Sequence, residues 1–126
     1  MIYQVTDGSY SDFGLVATLD GPDGVMPAQV DAWRAEFEAA AKFVCADPPR
    51  PDGPTIYEWG NAKIDPKWRI YWDAIHANRD DEQRHHKAIG VRDGGVCGFV
   101  DWLVSRHGFR VLPVRTIHEM KAEWDA

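Results

Sequence analysis

The stretch IYQVTDGSYSDFGLVATL, residues 2–19, decides the fold. Ile2, Tyr3 and Val5, and then Leu15, Val16, Thr18 and Leu19, are the β-branched, aromatic and aliphatic types that suit a pleated surface. They predict strands over residues 2–6 and 14–19. Only a short polar segment separates them, so an antiparallel hairpin is the most direct connection. Within that segment Asp7-Gly8 turns the chain. Ser9, Ser11 and Asp12 can bond backbone N–H groups that a loop otherwise leaves to water. Tyr10 and Phe13 are expected to fold back onto the end of the sheet.

Turn residues follow in DGPDGVMP (residues 20–27), and Pro27 suits a first helical position, where its missing N–H costs nothing. Val30, Trp33, Phe37, Ala40, Ala41 and Val44 then recur at helical spacing and predict a helix over Pro27 to Ala46. Arg34, Glu36, Glu38 and Lys42 fall largely off that stripe. The four prolines of DPPRPDGP (residues 47–54) stop the helix and make a stiff connector. TIYEWG (residues 55–60) is a short strand candidate. Asp65-Pro66 opens a second helix, over residues 66–79, on which Trp68, Tyr71, Trp72 and Ile75 share a face. NRDDEQRHHK (residues 78–87) has no apolar residue and reads as a solvated helix end or a mobile loop.

Asp93 and two glycines precede a third helix whose stripe is Val96, Phe99, Val100, Leu103, Val104 and His107. Gly108 ends it in a left-handed cap. FRVLPVRTI (residues 109–117) reads as a strand that Pro113 confines to a sheet edge or bulge. The tail HEMKAEWDA (residues 118–126) has the pattern of a last helical turn. The expectation is a single α+β domain over residues 1–126. It is a two-layer sandwich in which the N-terminal hairpin and the C-terminal strand form one small antiparallel sheet, covered by two to three helices.

Composition narrows the function. The chain has 126 residues, 44% of them hydrophobic, a net charge of −6 and a pI near 5.2. A nucleic-acid binder needs a basic stripe to displace counterions, so no nucleic-acid partner is expected. No apolar run is long enough for a membrane span, and no signal peptide opens the sequence. Cys45 and Cys97 are far apart and suggest neither a disulfide framework nor a metal knuckle. A reduced, cytoplasmic protein of a bacterial host is expected, with no cofactor and no metal. Six tryptophans are many for this length, and exposed Trp favours binding surfaces.

Three patterns bear on chemistry. Glu82-x-x-His85, with His86 and His76 nearby, has metal-ligand spacing but lacks a third ligand. A polar helix face with Asp81–His85 and Glu82–His86 pairs is the preferred reading. GVRDGGVCG (residues 90–98) places Arg92 and glycines at a helix start, where backbone N–H groups can hold a phosphate or carboxylate. Tyr57, Trp59, Trp68, Tyr71 and Trp72 beside the proline-rich connector form a candidate ring-lined cleft for a partner side chain or a base.

Two resemblances add to this. Gly8, Ser9, Tyr10, Ser11, Asp12 and Phe13, between two apolar strands and ahead of a helix, resemble the opening of a group of small bacteriophage and actinobacterial proteins. That resemblance implies a hairpin-first α+β fold and a phage or mobile-element setting, and no catalytic residues. Residues 94–113 carry Cys97, Gly98, Phe99, Val100, Gly108, Leu112 and Pro113 in an order similar to the nucleophile helix of NlpC-type cysteine peptidases. The family's Asp before the Cys is Val96 here, its following Ser is missing, and the only His after this segment is His118.

The leading expectation is a small, non-enzymatic, phage-type accessory protein that binds a host protein as an inhibitor or anti-defence factor. The alternative is a small-ligand binder, a sponge for a nucleotide signal, using Arg92 and exposed aromatics. The third reading is a thiol hydrolase built on Cys97. Terminal strands also leave sheet edges on which a homo-oligomer can form.

Overall fold

The computed structural model describes residues 1–8, 14–53 and 66–113. Its elements are β1 (Ile2–Asp7), β2 (Gly14–Asp20), α1 (Pro27–Ala41), α2 (Pro66–Ala88), α3 (Val96–Arg106) and β3 (Arg110–Leu112). This is the expected small α+β fold. The three strands form one antiparallel sheet in the order β1-β2-β3, so the hairpin and the C-terminal strand do meet, and β2 is central. Tyr3 stands opposite Leu19 and Val5 opposite Ala17. The register then shifts, because Thr6 pairs with Leu15 and leaves Val16 as a bulge residue. A bulge bends the strand and sharpens its twist. It also lets Val16 and Ala17 both pack against the core.

The core lies between β2 and the α1–α3 pair. Leu19, Phe37, Val100, Trp102, Leu103 and Phe109 are all buried in it. Phe37 meets Phe99 at 5.8 Å and Trp102 at 5.9 Å between ring centroids, which joins α1 to α3. Phe109 enters just before β3 and meets Tyr3 and Trp33 edge-on, at 5.8 and 5.7 Å. Tyr3 Oη in turn donates to Pro22 O (2.6 Å) and accepts from Val25 N (3.3 Å), tying β1 to the turn before α1.

Helix boundaries differ from the expectation in two places. Helix α1 ends at Ala41 rather than Ala46, where Lys42 turns to φ −59°, ψ 125°. Val44, which the periodicity places on the apolar stripe, is therefore 79% exposed. The last carbonyls of a helix need outside donors. Here Ala40 O and Ala41 O face His85 Nε2 (2.8 Å) and His86 Nε2 (3.0 Å) of α2. A carbonyl can only accept, so both nitrogens carry their protons.

Helix α2 runs through the polar stretch to Ala88 instead of stopping at residue 79. An Arg84–Asp81 pair at 2.6 Å supports it, rather than the Asp81–His85 and Glu82–His86 pairs expected from spacing. Its end is a Schellman cap. Gly90 has φ +80°, Gly90 N donates to Lys87 O, and Val91 N donates to His86 O. Val91 is buried, which supplies the cap's apolar contact. Gly108 closes α3 in the left-handed conformation as expected, at φ +73°, and His107 is the cap rather than a helical residue. Strand β3 is short and stops before Pro113. The expected strand at residues 55–60, the continuation beyond Pro113 and the final helical turn lie outside the described residues.

Candidate functional site

A concavity runs beside β1. One hollow, of about 270 Å³, is lined by Tyr3, Gln4, Val5 and Thr6 on one side, with Trp33, Arg34 and Phe99 among the residues opposite. A second, of about 300 Å³, adjoins it and extends to Asp7, Glu38 and Gly94-Gly95. The two share Thr6, Arg34, Val96 and Phe99 and so make one trough. Alternate side chains of a strand point to opposite faces. Tyr3 and Val5 line the trough from the core side of the sheet, together with Leu19 of β2, and Gln4 and Thr6 border it alongside them.

Among the described residues the outer edge of β1 has no strand partner. Met1 and Gly21 exchange both backbone bonds, at 3.1 and 3.0 Å. Antiparallel pairs alternate between bonded and non-bonded, so Tyr3 and Val5 bond to β2, while the N–H and C=O of Ile2 and Gln4 point outward.

Arg34 stands in the middle of the trough. Its guanidinium lies over the Phe99 ring, 5.8 Å from the centroid. Among the described residues it has no ion-pair or hydrogen-bond partner, although Glu38 is one helical turn away. Periodicity alone places Arg34 off the apolar stripe of α1 and so among the solvated residues. The sequence signal for this site is a terminal strand, which the fold places at the sheet edge.

The residues singled out from sequence fall elsewhere. Arg92 makes a two-pronged pair with Asp101, at 3.0 and 2.9 Å, and its backbone N–H bonds to the same carboxylate. Asp93 Oδ1 accepts from Gly95 N (2.9 Å) and Gly98 N (3.0 Å). Two of the donors at this helix start, Gly95 N and Gly98 N, thus already hold a carboxylate of this chain. Cys97 is half-buried in that turn. Among the described residues the histidines that form hydrogen bonds direct them to Ala40, Ala41 and Glu36, and none to Cys97.

Of the aromatic group, Tyr57 and Trp59 lie outside the described residues. Trp68 is buried, apart from the main core, with Arg50 over its ring at 5.5 Å and Tyr71 edge-on at 5.6 Å. Trp72 is exposed and meets Tyr71 at 5.2 Å, and Ile70 is exposed as well. The three described rings therefore form a ladder along α2, and the structure does not bring them to Arg92. Among the described residues no three His, Cys, Asp or Glu side chains stand close enough to hold a metal ion. None of the described helices is long and apolar enough to cross a membrane.

Glu36 is a joint between α1 and α3. It accepts from His107 Nε2 and from Trp102 Nε1, both at 2.9 Å, and Trp33 stacks on the His107 ring at 4.5 Å. The bond from His107, followed by that from Trp102, holds the Glu36 carboxyl below its ordinary pKa. The Arg92 guanidinium does the same for Asp101. A carboxylate depressed in the folded state stabilises the fold above its unfolded pKa and loses that contribution as pH falls through its folded value. Stability is therefore expected to fall on acidification below the ordinary carboxylate range. Urea melts across that range check this: Glu36→Gln and Asp101→Asn should each flatten the acid limb, and an unchanged limb in both would contradict it.

No family model, curated protein or solved structure matches the chain.

Proposed function

We propose that this is a non-enzymatic binding protein that takes up an extended segment of a partner protein as an added strand along β1. One observation carries the reading: β1, whose Ile2 and Gln4 turn their N–H and C=O away from β2, also lines a largely apolar hollow from Tyr3 to Thr6. Strand addition uses these two things together, main-chain bonds for affinity and a pocket for alternate side chains. At about 270 and 300 Å³, the two hollows lie at or below the lower end of the size range of small-molecule sites. Side by side they run along a strand of six residues, which is roughly 20 Å of extended chain. A host protein, bound as an inhibitor or anti-defence factor of a phage would bind it, is the partner we favour. The nucleotide-sponge reading is weaker, because Arg92 gives its guanidinium to Asp101. The thiol hydrolase reading is weaker still, since Cys97 has no histidine partner among the described residues.

An array of short peptides with apolar residues at alternate positions tests this. Some should bind the protein, and Gln4→Pro should weaken the best of them at least about tenfold, the worth of one lost backbone bond. Proline there deletes an N–H that the β1–β2 ladder does not use, so the melting temperature should stay near the wild-type value. No binding by any peptide, or equal binding by the Gln4→Pro variant, would contradict the proposal. A dimer that dissociates as peptide binds would mean that a second copy of this chain can supply the strand.

A further inference from the structure

We infer that the segment bound along β1 carries an acidic side chain, and that Arg34 selects it. The inference rests on the strand-addition reading and goes one step further, to the chemistry of the partner.

The chain is acidic overall, with 20 Asp and Glu against 14 Lys and Arg. Of the eight described arginines, Arg84, Arg92 and Arg110 pair with Asp81, Asp101 and Asp20. Arg34 does not, among the described residues, even though Glu38 and Asp7 line the same hollow. Its guanidinium carbon stands 5.8 Å from the centre of the Phe99 ring, within cation–π range. A planar fork of donors fits a carboxylate with two parallel bonds.

Position adds to charge. Arg34 lines both hollows, so it faces the middle of whatever lies along β1. To one side the wall is apolar, with Val25, Val30 and Phe109. To the other, Asp7 and Glu38 would repel a second acid. The preferred segment is therefore extended, apolar toward the Tyr3 end, with one Asp or Glu at the position facing Arg34.

The test uses the tightest peptide of the array and its variants at the acidic position. With the wild-type protein, Glu→Gln in the peptide should weaken binding about fivefold, as for a partly exposed ion pair, and the gap should shrink in high salt. Arg34→Gln should abolish the preference for Glu over Gln. Arg34→Glu should reverse it, so that a Lys peptide binds better than the Glu peptide. A melting curve of each variant confirms that it is folded, and Arg34→Gln keeps the test open if the charge reversal unfolds the protein. If peptides bind but Glu and Gln are equivalent, or the preference survives Arg34→Gln, this inference fails and strand addition stands. If no peptide binds, both fail. Displacement of the peptide by millimolar inorganic phosphate, whatever the peptide's sequence, would also overturn it and mark a small-anion site.

Discussion

Replacing Trp102 by alanine should lower stability by about 4 kcal/mol, the usual cost of emptying a buried tryptophan site. The ring is 5% exposed, packs against Phe37, and lies under the Arg106 guanidinium at 3.7 Å. Its indole N–H also reaches back to Glu36 on α1. It is therefore the main joint between the two helices that support the sheet. Trp102→Phe keeps most of the buried area and loses the indole hydrogen bond, so it should cost roughly 1–2 kcal/mol. Urea denaturation of both variants tests this. Equal and small losses would mean that the α1–α3 interface is not the centre of the core.

Gly98→Ala should be almost as damaging, at about 3 kcal/mol, although it adds only a methyl group. A Cβ at this position would lie 1.8 Å from Asp93 O and 2.8 Å from Asp93 C, both of them backbone atoms. No rotamer relieves such an overlap, so either the loop or the first turn of α3 must move. Either movement breaks the Asp93 bond to Gly98 N and disturbs the Arg92–Asp101 pair beside it. For a domain of this size the melting temperature should fall by about 10 °C. Gly95→Ala is the control, because a Cβ there makes only an ordinary contact, 3.5 Å from Asp93 Oδ1. Similar melting temperatures for the two variants would contradict the crowding seen at Gly98.

The fold was legible where apolar periodicity and turn chemistry agree. The hairpin strands, the start of α1 at Pro27 and the Gly108 cap follow from local residue types. The errors arose where a boundary depends on another element. Helix α1 stops early as its final carbonyls meet His85 and His86, which lie 45 residues away along the chain. Helix α2 continues without apolar residues because a distant-looking Gly90 caps it. The same limit applies to the candidate site. Arg92 stands in a motif that looks ready for an anion, yet Asp101, one turn into α3, takes its charge. Arg34 has no motif at all, and its environment arises only when β1 comes to lie across from α1 and α3. Tyr3 and Val5 announce a strand, but nothing local announces that it lies at the edge of the described sheet.

The most direct measurement of the central claim is amide hydrogen exchange of the protein, residue by residue, with and without the tightest array peptide. Strand addition predicts that the amides of Ile2 and Gln4 exchange fast in the free protein and become strongly protected in the complex. Those of Tyr3 and Val5, already bonded to β2, should change little. Protection that appears instead along α2, around Trp72 and Ile70, with Ile2 and Gln4 unchanged, would contradict the account and place the binding surface on the aromatic ladder.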